Sequence, residues 1–171
     1  MHSSKALRPF LITLIVALVL ILTFYILTLF IGKREPQPAI DLAGKDVEGS
    51  TISLSSYQGK SGVALVYFEL EHRHSQEVVQ RILPKAKALG VEVIAVCQTD
   101  LSAAECLARM KELEMPTPEH LLLDPKGELS AVYKVSTAPC TYFIDKNGMI
   151  LDAYLGTISE QSAEKELRAI A

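Results

Sequence analysis

The chain has 171 residues with 17 basic and 20 acidic side chains and only three cysteines, which allows one domain of ordinary size plus a short extension. Four of the basic residues precede position 35, leaving 13 against 20 acidic ones and a formal charge of −7 on the rest. That balance argues against nucleic acid or anionic lipid as a partner of the folded part.

Residues 1–8 read as an N-terminal tail. Residues 9–32 contain no charge, and 24 positions at 1.5 Å each span about 36 Å, enough to cross the roughly 30 Å hydrocarbon core of a bilayer. The segment is apolar on every face, and nothing else in the chain is large enough to bury it. It is longer than the core of a cleaved signal peptide and ends in Ile31-Gly32-Lys33-Arg34, so it reads as a retained single-pass anchor. Lys5, Arg8 and the terminal amine precede it, while Lys33 and Arg34, partly offset by Glu35, follow. The balance leans toward an N terminus inside and a domain outside the cytoplasm, where disulfides are permitted.

Residues 33–38 read as a linker, with Glu35-Pro36-Gln37-Pro38 extended by its prolines. The folded domain is expected over 39–171. Thr51–Leu54 alternates like an edge strand after a turn at 47–50, and the apolar runs 64–68 and 92–96 read as strands buried on both faces. Between those runs Val78, Val79, Ile82, Leu83, Ala86 and Leu89 recur at helical spacing, with Gly90 placed to end the helix. Strand, helix and strand at this length imply a right-handed crossover between parallel strands. A second helix is expected over 101–113, with Glu105 at capping-box spacing from Ser102. A strand at 121–123, a turn at 125–127, a hairpin of 141–144 with 150–155 around Lys146-Asn147-Gly148, and a closing helix over 159–171 complete the pattern.

Several stretches have a more specific likeness. Gly49–Lys60, Leu89–Val96 with Thr99-Asp100, Leu121–Glu128 with Tyr133 and Val135, and above all Ala138-Pro139 through Gly148 resemble the thioredoxin-like redoxins. The likeness is to membrane-anchored thiol-disulfide oxidoreductases of the cytochrome c maturation type, with the alkyl hydroperoxide reductase and thiol-specific antioxidant family a near relative. The resemblance covers roughly 38–171 and implies an α/β fold, a mixed central sheet with helices on both faces. It implies that Pro139 is cis and that the backbone edge at Thr137, Ala138 and Pro139 pairs with a partner polypeptide.

The same resemblance calls for Cys-x-x-Cys at the start of the first domain helix, where the helix N terminus lowers a thiolate pKa. No cysteine precedes Cys97. Counting from Phe68 puts Arg73 and Gln76 at the two positions; counting back from Pro84 puts Gln76 and Val79 there. The peroxidase branch's cysteine is absent too, and the segment from Phe68 to Gly90 is several residues shorter than in either branch.

Cys140 directly follows the presumed cis-proline and is expected to face that vacant position. A thiol there, helped by Arg73, His72 or His74, would act as a one-cysteine nucleophile; otherwise it is a small strand residue packed under the helix. Cys97 and Cys106 read as buried thiols that an oxidising compartment would allow to pair. His72 and His74, with Glu69 and Glu71, are weak candidate metal ligands; a solvated loop explains them better, since no further ligand can be placed from sequence. His120 reads as structural, and Asp124 and Asp145 as turn residues that cap backbone amides. No cofactor is required. Two functions follow: a domain that binds a partner polypeptide at the Pro139 edge without redox chemistry, or an atypical thiol enzyme built on Cys140.

Overall fold

The computed structural model describes residues 4–31 and 35–171. It divides into two compact units, Met1–Glu35 and Pro36–Ala171. The first holds helix α1, Ser4–Ile31. Its described side chains, 13–26, are all exposed, and Thr23 folds its hydroxyl back onto the Val19 and Leu20 carbonyls at 2.9 Å. Among the described residues no helix is long and apolar enough to cross a membrane. The two ends of the 9–32 segment lie outside the described side chains, as do residues 1–3 and 32–34 entirely.

The second unit is built on a six-stranded sheet. In chain order its elements are β1 Gln37–Pro38, β2 Ala43–Lys45, β3 Thr51–Ser53, a 3-10 turn at Leu54–Tyr57, β4 Val63–Phe68, α2 Arg73–Leu89, β5 Glu92–Cys97 and α3 Ala103–Glu112. Then follow β6 His120–Leu123, α4 Glu128–Val132, β7 Cys140–Ile144, β8 Met149–Leu155 and α5 Glu160–Ile170. The strands run in the order β1-β8-β7-β4-β5-β6. β4 pairs in parallel with β5 and antiparallel with β7, so the sheet is mixed. β4 is buried along its whole length, which is why 63–68 reads as a continuous apolar run.

Alternation along β4 divides the core. Ala64, Val66 and Phe68 face α2, α3 and α5, packing against Val78, Ile82, Met110 and Leu167. Val63, Leu65 and Tyr67 face the other way, toward Leu42, Ile52, Leu54 and Tyr133. Helices therefore lie on both faces but unequally, three on one and the short α4 on the other.

The sequence signals act where expected. Gly90 ends α2 in a left-handed conformation at φ 69°, and Ser102 and Glu105 close a reciprocal capping box on α3. Gly62 must lack a side chain because a Cβ there would lie 2.0 Å from the Ile170 carbonyl oxygen. Three expectations need correcting. Gln37 and Pro38 are not free linker but pair with Ile150 and Met149, an edge position that a proline tolerates. Thr51–Ser53 is an edge strand, paired with β2 in a separate two-stranded ribbon, but Leu54 does not extend it and turns away into the 3-10 helix. α4 is an additional helix, whose Leu129 and Ser130 amides donate to Asp124 at 3.1 and 2.8 Å.

Candidate functional site

The C-terminal ends of β4 and β5, the N terminus of α2 and the start of β7 meet at one end of the sheet. α2 begins at Arg73 after His72, so Arg73 and Gln76, the residues reached by counting from Phe68, stand in its first turn, whereas Val79 is a buried core residue. Gln76 donates through Nε2 to the Leu70 carbonyl at 2.7 Å. Ser75, fully buried, accepts from the Glu69 amide at 3.2 Å. Arg73, its side chain 86% exposed, points outward to Glu77 at 3.0 Å.

The connecting loop, 69–72, is a fixed cap. Leu70 is buried in the α2-side core. Glu71 accepts two hydrogen bonds from Arg109 of α3, at 2.7 and 2.9 Å, the bidentate geometry that best orients a guanidinium. The Arg109 hydrogen bonds hold the Glu71 carboxyl below the usual carboxylate range. His72 and His74 lie edge to face with centroids 5.5 Å apart, and His74 Nδ1 is 3.6 Å from Glu77. Among the described residues no group of three or more His, Cys, Asp or Glu side chains is placed to hold a metal ion.

On the far side of the site the Ala138–Pro139 peptide is cis. Ala138 is buried, whereas Ser136 and Thr137 are exposed. The Pro139 carbonyl accepts from Gly156 at 2.8 Å. Among the described residues the backbone groups of Thr137 find no partner. Next to this edge Leu155, at the end of β8, is 79% exposed and lies opposite Cys140 in the ladder. Clefts of about 300 and 420 Å³ lie elsewhere, beside the β7–β8 turn and beside the C terminus of α2 respectively.

Cys140 does not face this surface. It stands opposite Tyr67 and, like Tyr67, packs on the sheet face away from α2, among Leu42, Val96 and Tyr133. It is fully buried, and that burial pushes its thiol pKa up against a smaller opposing effect of the Tyr142 hydroxyl. Tyr133 and Tyr142 stack over the same region, centroids 4.8 Å apart, and burial lifts Tyr133 to about 12. The expectation that Arg73 or a histidine activates Cys140 therefore fails on geometry: those side chains belong to the other face of the sheet.

The thiol that does approach the vacant position is Cys97. It ends β5 opposite Phe68 and packs in the α2-side core. Its neighbour there is Cys106 of α3; both are buried and unbridged. The neighbouring Cys106 thiol, burial and the charge of Glu69 push the Cys97 thiol pKa up, while the Leu70 amide acts in the opposite sense. The Cys97 thiol beside it lowers the Cys106 pKa, against the opposing effect of burial. The pair expected from the sequence as buried thiols is therefore buried, and unbridged.

A mixed sheet with a cis-proline before its third paired strand and a long helix opening opposite it defines a thioredoxin-like domain. Residues 36–153 match the AhpC/TSA family model, and the chain belongs to that family. It is 28% identical over 145 residues to the thiol-disulfide oxidoreductase ResA of Bacillus thuringiensis subsp. konkukian, covering 82% of this chain and 78% of the relative. It is 29% identical over 143 residues to the thioredoxin-like protein YneN of Bacillus subtilis, covering 80% and 81%. Among solved structures, a putative thiol:disulfide interchange protein DsbE from Chlorobium tepidum superposes with a TM-score of 0.67 at 23% identity, over 81% of this chain and 99% of that one.

Proposed function

We propose that the protein is a membrane-anchored, extracytoplasmic member of this family that holds a partner polypeptide at the Thr137–Pro139 edge and does no thiol chemistry at the family's usual position. The single observation that carries this reading is the state of the α2 N terminus: its first turn holds Arg73 and Gln76 and no cysteine, and the loop before it is tied by hydrogen bonds from Gln76 and Arg109 and to Ser75. The partner edge, by contrast, keeps an exposed Thr137 with an unpaired backbone and an exposed Leu155 beside it. Main-chain pairing at Thr137 would supply affinity, and Leu155 an apolar contact for an alternate side chain. The uncharged run 9–32 supports the anchor, and the charge around it supports a domain outside the cytoplasm.

The reading is tested with cysteine-free extended peptides titrated into the full chain in detergent micelles while amide resonances are followed. Shifts centred on Thr137, Ala138 and Leu155 are expected, and Thr137→Pro, which removes the amide, should abolish them. Capture only of cysteine-containing peptides, through a mixed disulfide, would contradict it. The one-cysteine enzyme built on Cys140 gains no support from a thiol buried among tyrosines.

A further inference from the structure

Gln98, the residue after β5, is bonded to both sides of the site. Its amide donates to the Phe68 carbonyl at 3.0 Å, where β4 gives way to the 69–72 loop and α2. Its side chain reaches the other way, donating through Nε2 to the Ser130 hydroxyl of α4 at 2.8 Å. Ser130 is buried and passes that contact on in two directions. Its hydroxyl and its amide both donate to the buried Asp124 carboxylate, at 2.6 and 2.8 Å. Its carbonyl accepts from the Val135 amide at 2.9 Å, two residues before Thr137. Between them Lys134 sits at φ 53°, a conformation that a lysine keeps only where its surroundings hold it. A hydroxyl has one proton and Asp124 takes it, so Ser130 can only accept from Gln98. The network therefore requires a donor at position 98.

We propose that Gln98 is a positioning residue for the peptide edge: by donating to Ser130 it fixes α4 against the end of β5, and through the Val135 bond it holds Ser136 and Thr137 in place for pairing with a partner polypeptide. The inference rests on the reading of Thr137–Pro139 as the partner edge, and it supplies the reason that the edge is set before a partner arrives. An edge already held in place loses less conformational freedom on binding. Donation, rather than size, is the property that matters at position 98. Glutamate has the shape of glutamine but no proton to give at neutral pH, and it would set a second carboxylate toward Asp124.

The test compares the parent, Gln98→Glu and Ser130→Ala as full chains in detergent micelles. Hydrogen exchange of the Val135 amide, taken as protection relative to an unstructured chain at each pH, reports on the edge without any peptide. Titration of the same cysteine-free extended peptides reports on its use. At pH 7 Gln98→Glu should lower both Val135 protection and peptide affinity by about tenfold, the worth of one hydrogen bond. Both should return toward the parent as pH falls to about 4, where the introduced carboxyl takes up a proton and can donate. The parent, followed over the same range, controls for Asp124. Ser130→Ala should give the same losses without recovery in acid, and Gln98→Glu added to it should change nothing further. Gln98→Glu with Val135 protection and affinity equal to the parent's, or with losses that acid does not reverse, would overturn the proposal. A parent that binds no peptide would contradict the partner edge alone, since Val135 exchange still decides whether Gln98 holds that segment in place.

Discussion

Cys140 and Cys97 lie at the same end of the same sheet, one strand to either side of β4, and have opposite surroundings. Cys97 stands opposite Phe68 and faces α2; Cys140 stands opposite Tyr67, one residue earlier, and faces away. One residue of pleat therefore decides which thiol lies under the family's site. Adjacency to the cis-proline in sequence placed Cys140 at the right height but on the wrong side. Cys97, separated from the proline by more than forty positions in sequence, is the thiol at the site, with a second one beside it.

The largest way to break this comparison is to damage one face and spare the other. Phe68→Ala should cost about 3–5 kcal/mol in urea unfolding, since it empties a fully buried position against α2. Tyr67→Phe should cost much less, because it removes only a hydroxyl donating to the Leu129 carbonyl at a long 3.3 Å. Equal losses would mean that the two faces are not packed as described.

A smaller effect concerns Thr141, whose hydroxyl is fully buried and without a hydrogen-bond partner among the described residues. Thr141→Val keeps the shape and removes the orphan group, and should stabilise the chain by about 1 kcal/mol in the same assay. Destabilisation would mean that the hydroxyl is satisfied after all.

The smallest expected effect sharpens the difference between the thiols. The folded-state pKa of Cys140 is raised above its reference of 9.0 by burial. The folded protein therefore holds that proton more tightly than the unfolded chain. The stabilisation is complete below pH 9 and is lost as pH rises through the raised value. Stability measured across pH 8–10.5 should fall less steeply in Cys140→Ala than in the parent. An unchanged slope would mean that Cys140 titrates normally.

Much of the fold was legible in the chain because local and tertiary preferences agree there. Gly90, the Ser102–Glu105 box and the Asn147-Gly148 turn each satisfy backbone groups that any structure would have to satisfy. α4 escaped notice because it is short and amphipathic only in part, and because its cap comes from Asp124, outside the helix. β1 escaped because two residues carry no period, and their pairing is decided by Met149 and Ile150 far along the chain. At the site, that no cysteine precedes Cys97 could be read directly. The bonds that close the cap could not, since Glu71 and Arg109 are 38 positions apart. The face of Cys140 was in principle readable, because its pairing with Tyr67 follows once β7 is placed antiparallel to β4.

The most direct measurement is site-resolved alkylation of all three cysteines in the folded, reduced chain at neutral pH, followed by mass spectrometry. The account expects Cys140 to label no faster than the protein unfolds globally, because its side chain is fully buried. Rapid labelling of Cys140 in the folded state would contradict it, returning that thiol to the site and the one-cysteine enzyme to consideration.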